Sequence, residues 1–257
     1  MNLGLEGRTG LVFGASRGIG AASARALHGE GVSLALTARS RAALDDSLSV
    51  IPGALPLTVD LTCAGDAEAA VEATLSRYGR IDLAVISAGA AQGGAFTDLG
   101  DDVWASALEL KFMGMIRALR ALVPAMRKAG SGRILVIVGN NGVQANKAML
   151  PGSAANAACL AVIRGLAEDI AADGIRINAL NPGPTRTDRW DGLVERLSRG
   201  QGRPAAEVEA ELLSAQPLGR IAAADEMGRL AAMMLSDAAD MLVGTSLTAD
   251  GGATKRI

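Results

Sequence analysis

Short apolar segments alternate with longer amphipathic segments along nearly the whole chain. The short segments are almost continuously hydrophobic, which is typical of strands that are buried on both faces of a sheet. We predict strands at residues 9–14, 32–38, 55–60, 81–89, 132–139, 175–183 and 245–252, and helices at 18–29, 41–49, 64–78, 101–129, 152–172 and 222–236. This alternation predicts a doubly wound α/β fold, in which a parallel sheet of about seven strands has helices on both faces.

The organisation of the chain indicates one unit. No internal repeat, low-complexity tract or linker divides it, and 49% of its 257 residues are hydrophobic, enough for a large core. We therefore predict a single domain over residues 1–257. One polar, arginine-rich segment, 184–214, breaks the alternation just after a strand end. It is interpreted either as a lid over the carboxyl edge of the sheet or as a plain surface excursion.

Composition excludes several classes of function. The net charge is −2 with no charged block, which argues against nucleic acid or an anionic membrane as partner. The apolar runs are too short for a membrane span, and the N-terminus lacks a signal-peptide pattern. Cys63 and Cys159 have no disulfide or metal spacing, so we expect free thiols in the cytoplasm. His28 is the only histidine, and neither a metal site nor a Ser/His/Asp triad is expected.

The stretch GASRGIG at residues 14–20 follows the first predicted strand and opens a helix. Gly14 permits the tight turn, while Gly18 and Gly20 let the backbone approach a pyrophosphate and the helix approach the sheet. This context predicts a Rossmann-type dinucleotide site. Its candidate residues are Gly14, Ser16, Arg17, Gly18, Ile19 and Gly20.

Two arginines indicate which dinucleotide binds. Arg17 lies inside the glycine turn, and Arg39 follows the second predicted strand. An acidic residue at the second position binds ribose hydroxyls, whereas an arginine accommodates a 2′-phosphate. The pattern favours NADP(H) over NAD(H). The alternative is that both arginines are merely solvated.

Several further motifs occur in a fixed order: Val59-Asp60-Leu61, SAG at 87–89, GIRINALNPGPTRT at 174–187 and ADGG at 249–252. With the glycine turn, they make the sequence resemble a short-chain dehydrogenase/reductase over essentially its whole length. The resemblance implies that Asp60 and Leu61 lie at the adenine, Ala88 and Gly89 at the nicotinamide-side ribose, and Pro182, Gly183, Thr185 and Thr187 at the carboxamide. Ser87 replaces the family's usual asparagine.

The four side chains that carry the family's chemistry are replaced in this sequence. The family uses a Tyr as proton donor, a Lys that lowers the pKa of that Tyr, a Ser that binds the substrate oxygen and an Asn that organises a water. The resemblance places Gly152 at the Tyr position, Asn156 at the Lys, Gly139 at the Ser and Lys111 at the Asn. Tyr78 is the only tyrosine, and it lies elsewhere, just before the fourth strand.

Lys111 and Asn156 look like an exchange of the family's Lys and Asn. If they face one another, the Lys111 ammonium could reach the ribose or the substrate oxygen, with a pKa lowered by burial. The alternative is drift, with Lys111 reaching solvent. Asn140 follows the strand end where the substrate oxygen is expected, and its amide could replace the missing serine. Turn chemistry is the other interpretation of Asn140.

Three functions remain open on the sequence. The first is an NADP(H)-dependent oxidoreductase that acts on a small carbonyl, hydroxyl or activated alkene with an altered proton relay. The second is a non-redox isomerase, lyase, cyclase or dehydratase, and the third is an inactive NADP(H)-binding pseudoenzyme. The resemblance also implies a small-molecule substrate and a homodimer or homotetramer. Trp190, in the segment 184–214, could either cover an apolar substrate or pack against its own segment.

Overall fold

The computed structural model describes residues 2–89 and 93–255. Its main sheet has seven parallel strands in the order β3-β2-β1-β4-β5-β6-β9, which confirms the predicted doubly wound α/β fold. The strands are β1 (Thr9–Phe13), β2 (Ser33–Ala38), β3 (Leu55–Thr58), β4 (Leu83–Ile86), β5 (Gly132–Ile137), β6 (Ile175–Pro182) and β9 (Ser246–Ala249). A separate parallel pair is formed by β7 (Thr185–Arg186) and β8 (Ala222–Ala223).

Helices connect the strands and cover both faces of the sheet. They are α1 (Gly18–Gly29), α2 (Asp45–Val50), α3 (Asp66–Tyr78), α4 (Asp101–Ala107), α5 (Gly114–Ala129), α6 (Leu150–Ile170), α7 (Asp188–Gln201), α8 (Ala205–Ser214) and α9 (Ala224–Met234). Short 3₁₀ turns lie at Ala42–Leu44, Phe96–Asp98, Asn140–Gly142, Ala171–Asp173 and Asp237–Ala239. The carboxyl ends of β1, β4 and β5 are the point where the strand order reverses, and this is where ligands bind in such folds.

Two hydrophobic cores lie on opposite faces of the sheet. Side chains alternate along β1, so Leu11 belongs to the core under α3, α5 and α6, whereas Val12 belongs to the core under α1 and α9. Ile163 of α6 and Met227 of α9 represent the two helical layers. Burial on both faces explains why the strands read as continuous apolar runs.

Helix α6 with its following turn, Leu150–Asp173, is long and apolar enough to cross a membrane by length and composition alone. In the fold it is a core helix. Cys159, Ile163, Ala167 and Ile170 are buried in the core that covers one face of the sheet. Its hydropathy is therefore explained by packing.

The single helix predicted at 101–129 is wrong in its middle. Residues Leu108–Met113 form a π-helical turn between α4 and α5, and this turn carries Lys111. A π-helical turn adds a residue to the helical repeat and changes the direction of the side chains on it, and such turns are frequent at functional sites.

The segment 184–214 holds two helices, α7 and α8, on a small core of their own. Trp190 is 5% exposed and packs with Val194 and Ile221. Its Nε1 donates a hydrogen bond to Glu209 Oε1 at 2.8 Å. The indole therefore packs between α7 and α8. Of the two interpretations of Trp190 that the sequence allows, the structure supports packing against its own segment.

Candidate active site

The glycine turn between β1 and α1 has the shape expected of a phosphate cradle. Gly14 and Gly18 adopt φ values of +82° and +58°, which favour glycine. A Cβ on Gly20 would lie 2.0 Å from the Gly14 carbonyl oxygen, so no larger residue fits there. The turn leads directly into the N-terminus of α1, where unpaired backbone N–H groups and the helix dipole favour an anion.

Residues after β6 lie across this turn. The position of a Cβ on Gly18 is 3.4 Å from Thr187 Cγ2, and Arg17 Nη1 lies 3.5 Å from Asp188 Oδ2 in an exposed ion pair. Thr185 is buried, and its hydroxyl donates to the Gly183 carbonyl at 3.0 Å. The structure thus brings the predicted residue Thr187 to the glycine turn, and the Thr187 hydroxyl donates to the Thr185 carbonyl at 3.3 Å. Pro182 ends β6, with Gly183 directly after it.

Arg39 and Asp60 lie beyond the neighbouring strands β2 and β3. Asp60 accepts hydrogen bonds from the Thr62 backbone N–H at 2.9 Å and from the Thr62 hydroxyl at 2.8 Å. These bonds, helped by the nearby charge of Arg39, hold the pKa of Asp60 below its usual value. Leu61 is buried. The exposed Arg39 makes no ion pair within residues 2–89 and 93–255, so its guanidinium is available to a phosphate.

Gly89 lies at the centre of the site, shortly after β4 and next to Ala88. A Cβ on Gly89 would stand only 2.6 Å from Lys111 Cδ, and the residue has a φ of +152°. On its other side, Arg189 Nη2 donates to the Gly89 carbonyl at 2.6 Å. Two basic side chains therefore contact one glycine.

Lys111 extends from the π-helical turn to the carboxyl end of β5. Its Nζ donates to the Ile137 carbonyl at 2.6 Å. Burial lowers the pKa of Lys111 to about 8; the charge of Arg189 adds to this effect and Cys159 opposes it. A lysine with a pKa near neutrality can give up or take back a proton at physiological pH.

Asn156 lies at the same strand end. A Cβ on Gly139 would be 3.0 Å from Asn156 Nδ2, and Gly139 has a φ of +133°. Within the described parts of the chain, the Asn156 amide has no hydrogen-bond partner. One turn further along α6, Cys159 Sγ lies 3.7 Å from the Lys111 carbonyl oxygen. The fold therefore brings Lys111 and Asn156 to one end of β5, Lys111 at Ile137 and Asn156 at Gly139.

The remaining predicted residues have other neighbours. Asn140 Nδ2 donates to Asp250 Oδ2 at 3.2 Å, so its amide is tied to the loop after β9. Gly152 is buried in the first turn of α6. No group of three or more His, Cys, Asp or Glu side chains in the described ranges is arranged to hold a metal ion.

Sequence reasoning missed Arg189. Arg189 lies two residues after Thr187, the last residue of the motif that the resemblance assigns to the carboxamide. Nothing in the local sequence shows that its side chain reaches Gly89, which is 100 residues earlier in the chain. The π-helical turn was missed as well, because LELKFM has ordinary helix-forming composition.

A parallel sheet with a glycine-rich turn at its switch point defines a dinucleotide-binding α/β protein. Comparison with known proteins narrows this class. A family model described as Enoyl-(Acyl carrier protein) reductase matches residues 14–254. The chain belongs to this family, within the short-chain dehydrogenase/reductase oxidoreductases.

Curated relatives match over nearly their whole length. The chain is 30% identical to the 3-oxoacyl-[acyl-carrier-protein] reductase FabG of Escherichia coli (strain K12), covering 97% of this chain and 98% of FabG. It is 31% identical to the oxidoreductase UcpA of Escherichia coli O157:H7, covering 97% and 95% of the two chains.

Solved structures agree with the fold. An actinorhodin polyketide ketoreductase with NADPH superposes with a TM-score of 0.93 at 28% identity, covering 97% of this chain and 98% of the other. L-Sorbose reductase from Gluconobacter frateurii, complexed with NADPH and L-sorbose, gives 0.94 at 27% identity, covering both chains completely.

Proposed function

We propose that this chain is an NADP(H)-dependent oxidoreductase for a small carbonyl, hydroxyl or activated-alkene substrate, with Lys111 and Asn156 replacing the family's proton relay. One observation carries the proposal: the half-buried Lys111 places its Nζ at the carboxyl end of β5, against Gly89, and has a pKa of about 8. The proposal includes a cytoplasmic location and the homodimer or homotetramer implied by the family.

The dinucleotide end of the site fits NADP(H). The turn at Gly14, Gly18 and Gly20 requires glycine, because the first two have positive φ and a Cβ on the third would lie 2.0 Å from the Gly14 carbonyl oxygen. Arg17 and Arg39 are suited to the 2′-phosphate. Asp60, Leu61, Ala88, Gly89, Pro182, Gly183, Thr185 and Thr187 complete the proposed cofactor set. NADPH complexes among similar reductases support this choice. When bound, the nicotinamide would supply the hydride.

The protein's own contribution is a proton and a place for the substrate oxygen. Protonated Lys111 can donate to an oxygen beside Gly89, and its positive charge stabilises negative charge that develops there. Asn156 brings a second donor, its amide, to the same strand end. Arrangements of this kind contribute about 10²- to 10⁴-fold to the rate. Asn140, tied to Asp250, is assigned the more remote role of supporting the loop after β5.

Two measurements in sequence test this function. Thermal stability is first followed during titration with NADPH and with NADH. A ligand at about a hundred times its Kd stabilises the folded state by roughly 2.7 kcal/mol, which raises Tm by several degrees in a chain of this size. NADPH oxidation is then followed with a panel of ketones, oxo acids and enones.

The outcomes separate the three functions. Cofactor oxidation that is lost in Lys111→Met and kept in Lys128→Met, an exposed control, supports the proposal. A shift with NADPH but no turnover with any substrate would support the pseudoenzyme. Product formation without cofactor oxidation would support a non-redox enzyme, and the absence of any shift would argue against dinucleotide binding altogether.

A further inference from the structure

Two cationic side chains converge on Gly89 from different parts of the fold. Lys111 comes from the π-helical turn after α4, and its Nζ is 3.4 Å from the position that a Gly89 Cβ would occupy. Arg189 comes from the first turn of α7, and its Nη2 is 2.6 Å from the Gly89 carbonyl oxygen. Groups held by these two side chains would therefore lie a few bonds apart in one small molecule.

Neither cation has an acidic partner in the described ranges. The neighbouring arginines do: Arg186 pairs with Glu209 at 2.9 Å, and Arg17 pairs with Asp188 at 3.5 Å. The residues that directly follow Gly89 in sequence, 90–92, are Ala-Ala-Gln and bring no acidic side chain. Like charges brought together in a partly desolvated site disfavour each other, and each lowers the pKa of the other. At Lys111 burial is the main cause of the lowered pKa, and the charge of Arg189 lowers it further.

Most of the donors on both groups are uncommitted within the described residues. A guanidinium has five N–H donors, and that of Arg189 uses one of them in the hydrogen bond to the Gly89 carbonyl. An ammonium has three N–H donors, and that of Lys111 uses one of them in the hydrogen bond to the Ile137 carbonyl. The planar fork of an arginine matches a carboxylate with two parallel hydrogen bonds, whereas a lysine acts as a point charge towards a single oxygen.

We propose that the substrate carries a carboxylate on the carbon next to the reacting one, with the carboxylate on Arg189 and the neighbouring carbonyl or hydroxyl oxygen on Lys111. The ligand class is a 2-oxo or 2-hydroxy carboxylate. This inference rests on the proposed function, because it places the substrate at the same Lys111.

The cofactor's phosphates are a competing anion for Arg189. Thr187 and Asp188, the two residues before it, lie across the glycine turn, so a pyrophosphate on that turn is within reach of α7. Lys111, however, lies at the end of β5, two strands from the turn, and a phosphate over β1 would not satisfy it. The pair together therefore favours the substrate.

The test measures binding, so it does not depend on turnover. The protein is saturated with NADP⁺, whose binding is first established by thermal shift, and is then titrated calorimetrically with 2-oxobutyrate and with the matched neutral 2-oxobutyramide. The acid should bind about ten- to a hundredfold more tightly than the amide in the wild type, because a charged hydrogen-bonded pair is replaced by a neutral one. Arg189→Gln should abolish this preference. Arg186→Gln, on the same segment but paired with Glu209, should keep it.

Two results would overturn the inference. Equal binding of acid and amide to the wild type would remove its basis, as would a preference that survives in Arg189→Gln. If the preference survives and NADP⁺ also binds this variant more weakly, Arg189 is assigned to the cofactor's phosphates. If NADP⁺ itself does not bind, the proposed function fails, and the same titrations on the free protein still decide whether the carboxylate is recognised.

Discussion

Lys111 packs against Gly89 so closely that a methyl group on Gly89 would stand 2.6 Å from Lys111 Cδ. The same lysine ends on the Ile137 carbonyl, so its stem is held at Gly89 and its head at β5. A glycine that the resemblance assigns to the ribose thus also positions the candidate proton donor. Lys111 can occupy this position because residue 89, shortly after β4, has no side chain.

Gly89→Ala should therefore reduce activity by displacing Lys111. The added methyl must push the lysine stem or the backbone aside, and a φ of +152° is also unfavourable for alanine. We expect a turnover at least tenfold lower, with about 1–3 kcal/mol lost from the free energy of unfolding. Gly53→Ala is the control, since Gly53 also has a positive φ (+80°) but a Cβ there meets nothing within 4 Å. Equal activity in the two variants would show that the contact does not position Lys111.

The rate of substrate reduction should fall as the pH rises through about 8. Below this pH Lys111 is protonated and can donate a proton to the substrate. Above it Lys111 is mostly deprotonated, because burial lowers its pKa to about 8, and the proton donor is lost. Lys111→Met should lower kcat by about 10²- to 10⁴-fold and abolish this inflection, while Lys128→Met leaves both unchanged. The profile is measured as initial rates from pH 6 to pH 10. An inflection that persists in Lys111→Met would belong to another group.

Stability should depend on pH through the same lysine. Its folded pKa of about 8 lies below the unfolded value of 10.5, so between these two pH values the unfolded chain binds the proton and the folded chain does not. Unfolding free energy must then rise with pH in this window, and below pH 8 the full cost of burying the charge is present. Relative to Lys111→Met, the wild type should gain up to about 3 kcal/mol between pH 7 and pH 10. Urea unfolding of the wild type and of Lys111→Met at pH 7 and pH 10 measures this gain. If the unfolding free energies of the two proteins changed by the same amount, the pKa of Lys111 would not be lowered in the folded state.

Gly20→Ala should disrupt the cofactor site from within the glycine turn. The new Cβ would lie 2.0 Å from the Gly14 carbonyl oxygen, so either α1 or the turn must move. We expect NADPH-dependent thermal stabilisation to disappear and the apo protein to lose about 1–3 kcal/mol. Gly29→Ala is the control, because Gly29 is in the same helix and a Cβ there meets nothing within 4 Å. This variant should bind NADPH normally. Retained stabilisation by NADPH in Gly20→Ala would place the cofactor elsewhere.

The fold could be predicted because its causes are local and repeated. Apolar runs with both faces buried, separated by helical segments, leave few alternatives to a parallel sheet, and the glycines at 14, 18 and 20 mark the turn where a helix must approach a strand. The site could be predicted only where the family's motifs fix backbone positions.

The contacts of Lys111 and Arg189 arise from tertiary packing that no local pattern encodes. The π-helical turn that carries Lys111 interrupts a sequence with ordinary helical propensity, and it packs against α6. Nothing in the local sequence marks the change to i→i+5 bonding. Arg189 reaches Gly89 across a sequence separation of 100 residues, from a helix that packs on a small core around Trp190.

Arg39→Asp should reverse the cofactor preference. In the wild type the exposed guanidinium follows β2 beside Asp60, where it can meet a 2′-phosphate, whereas an aspartate there would repel the phosphate and accept the ribose hydroxyls of NADH. We expect NADPH to bind at least tenfold more weakly and NADH more tightly, since the loss of one charge-assisted contact costs about 1.5–3 kcal/mol. Lys128→Asp makes the same change of charge at the far end of α5 and controls for long-range electrostatics. Fluorescence titration with both cofactors measures the ratio, and an unchanged ratio would mean that Arg39 is only solvated and that the preference is set elsewhere in the groove.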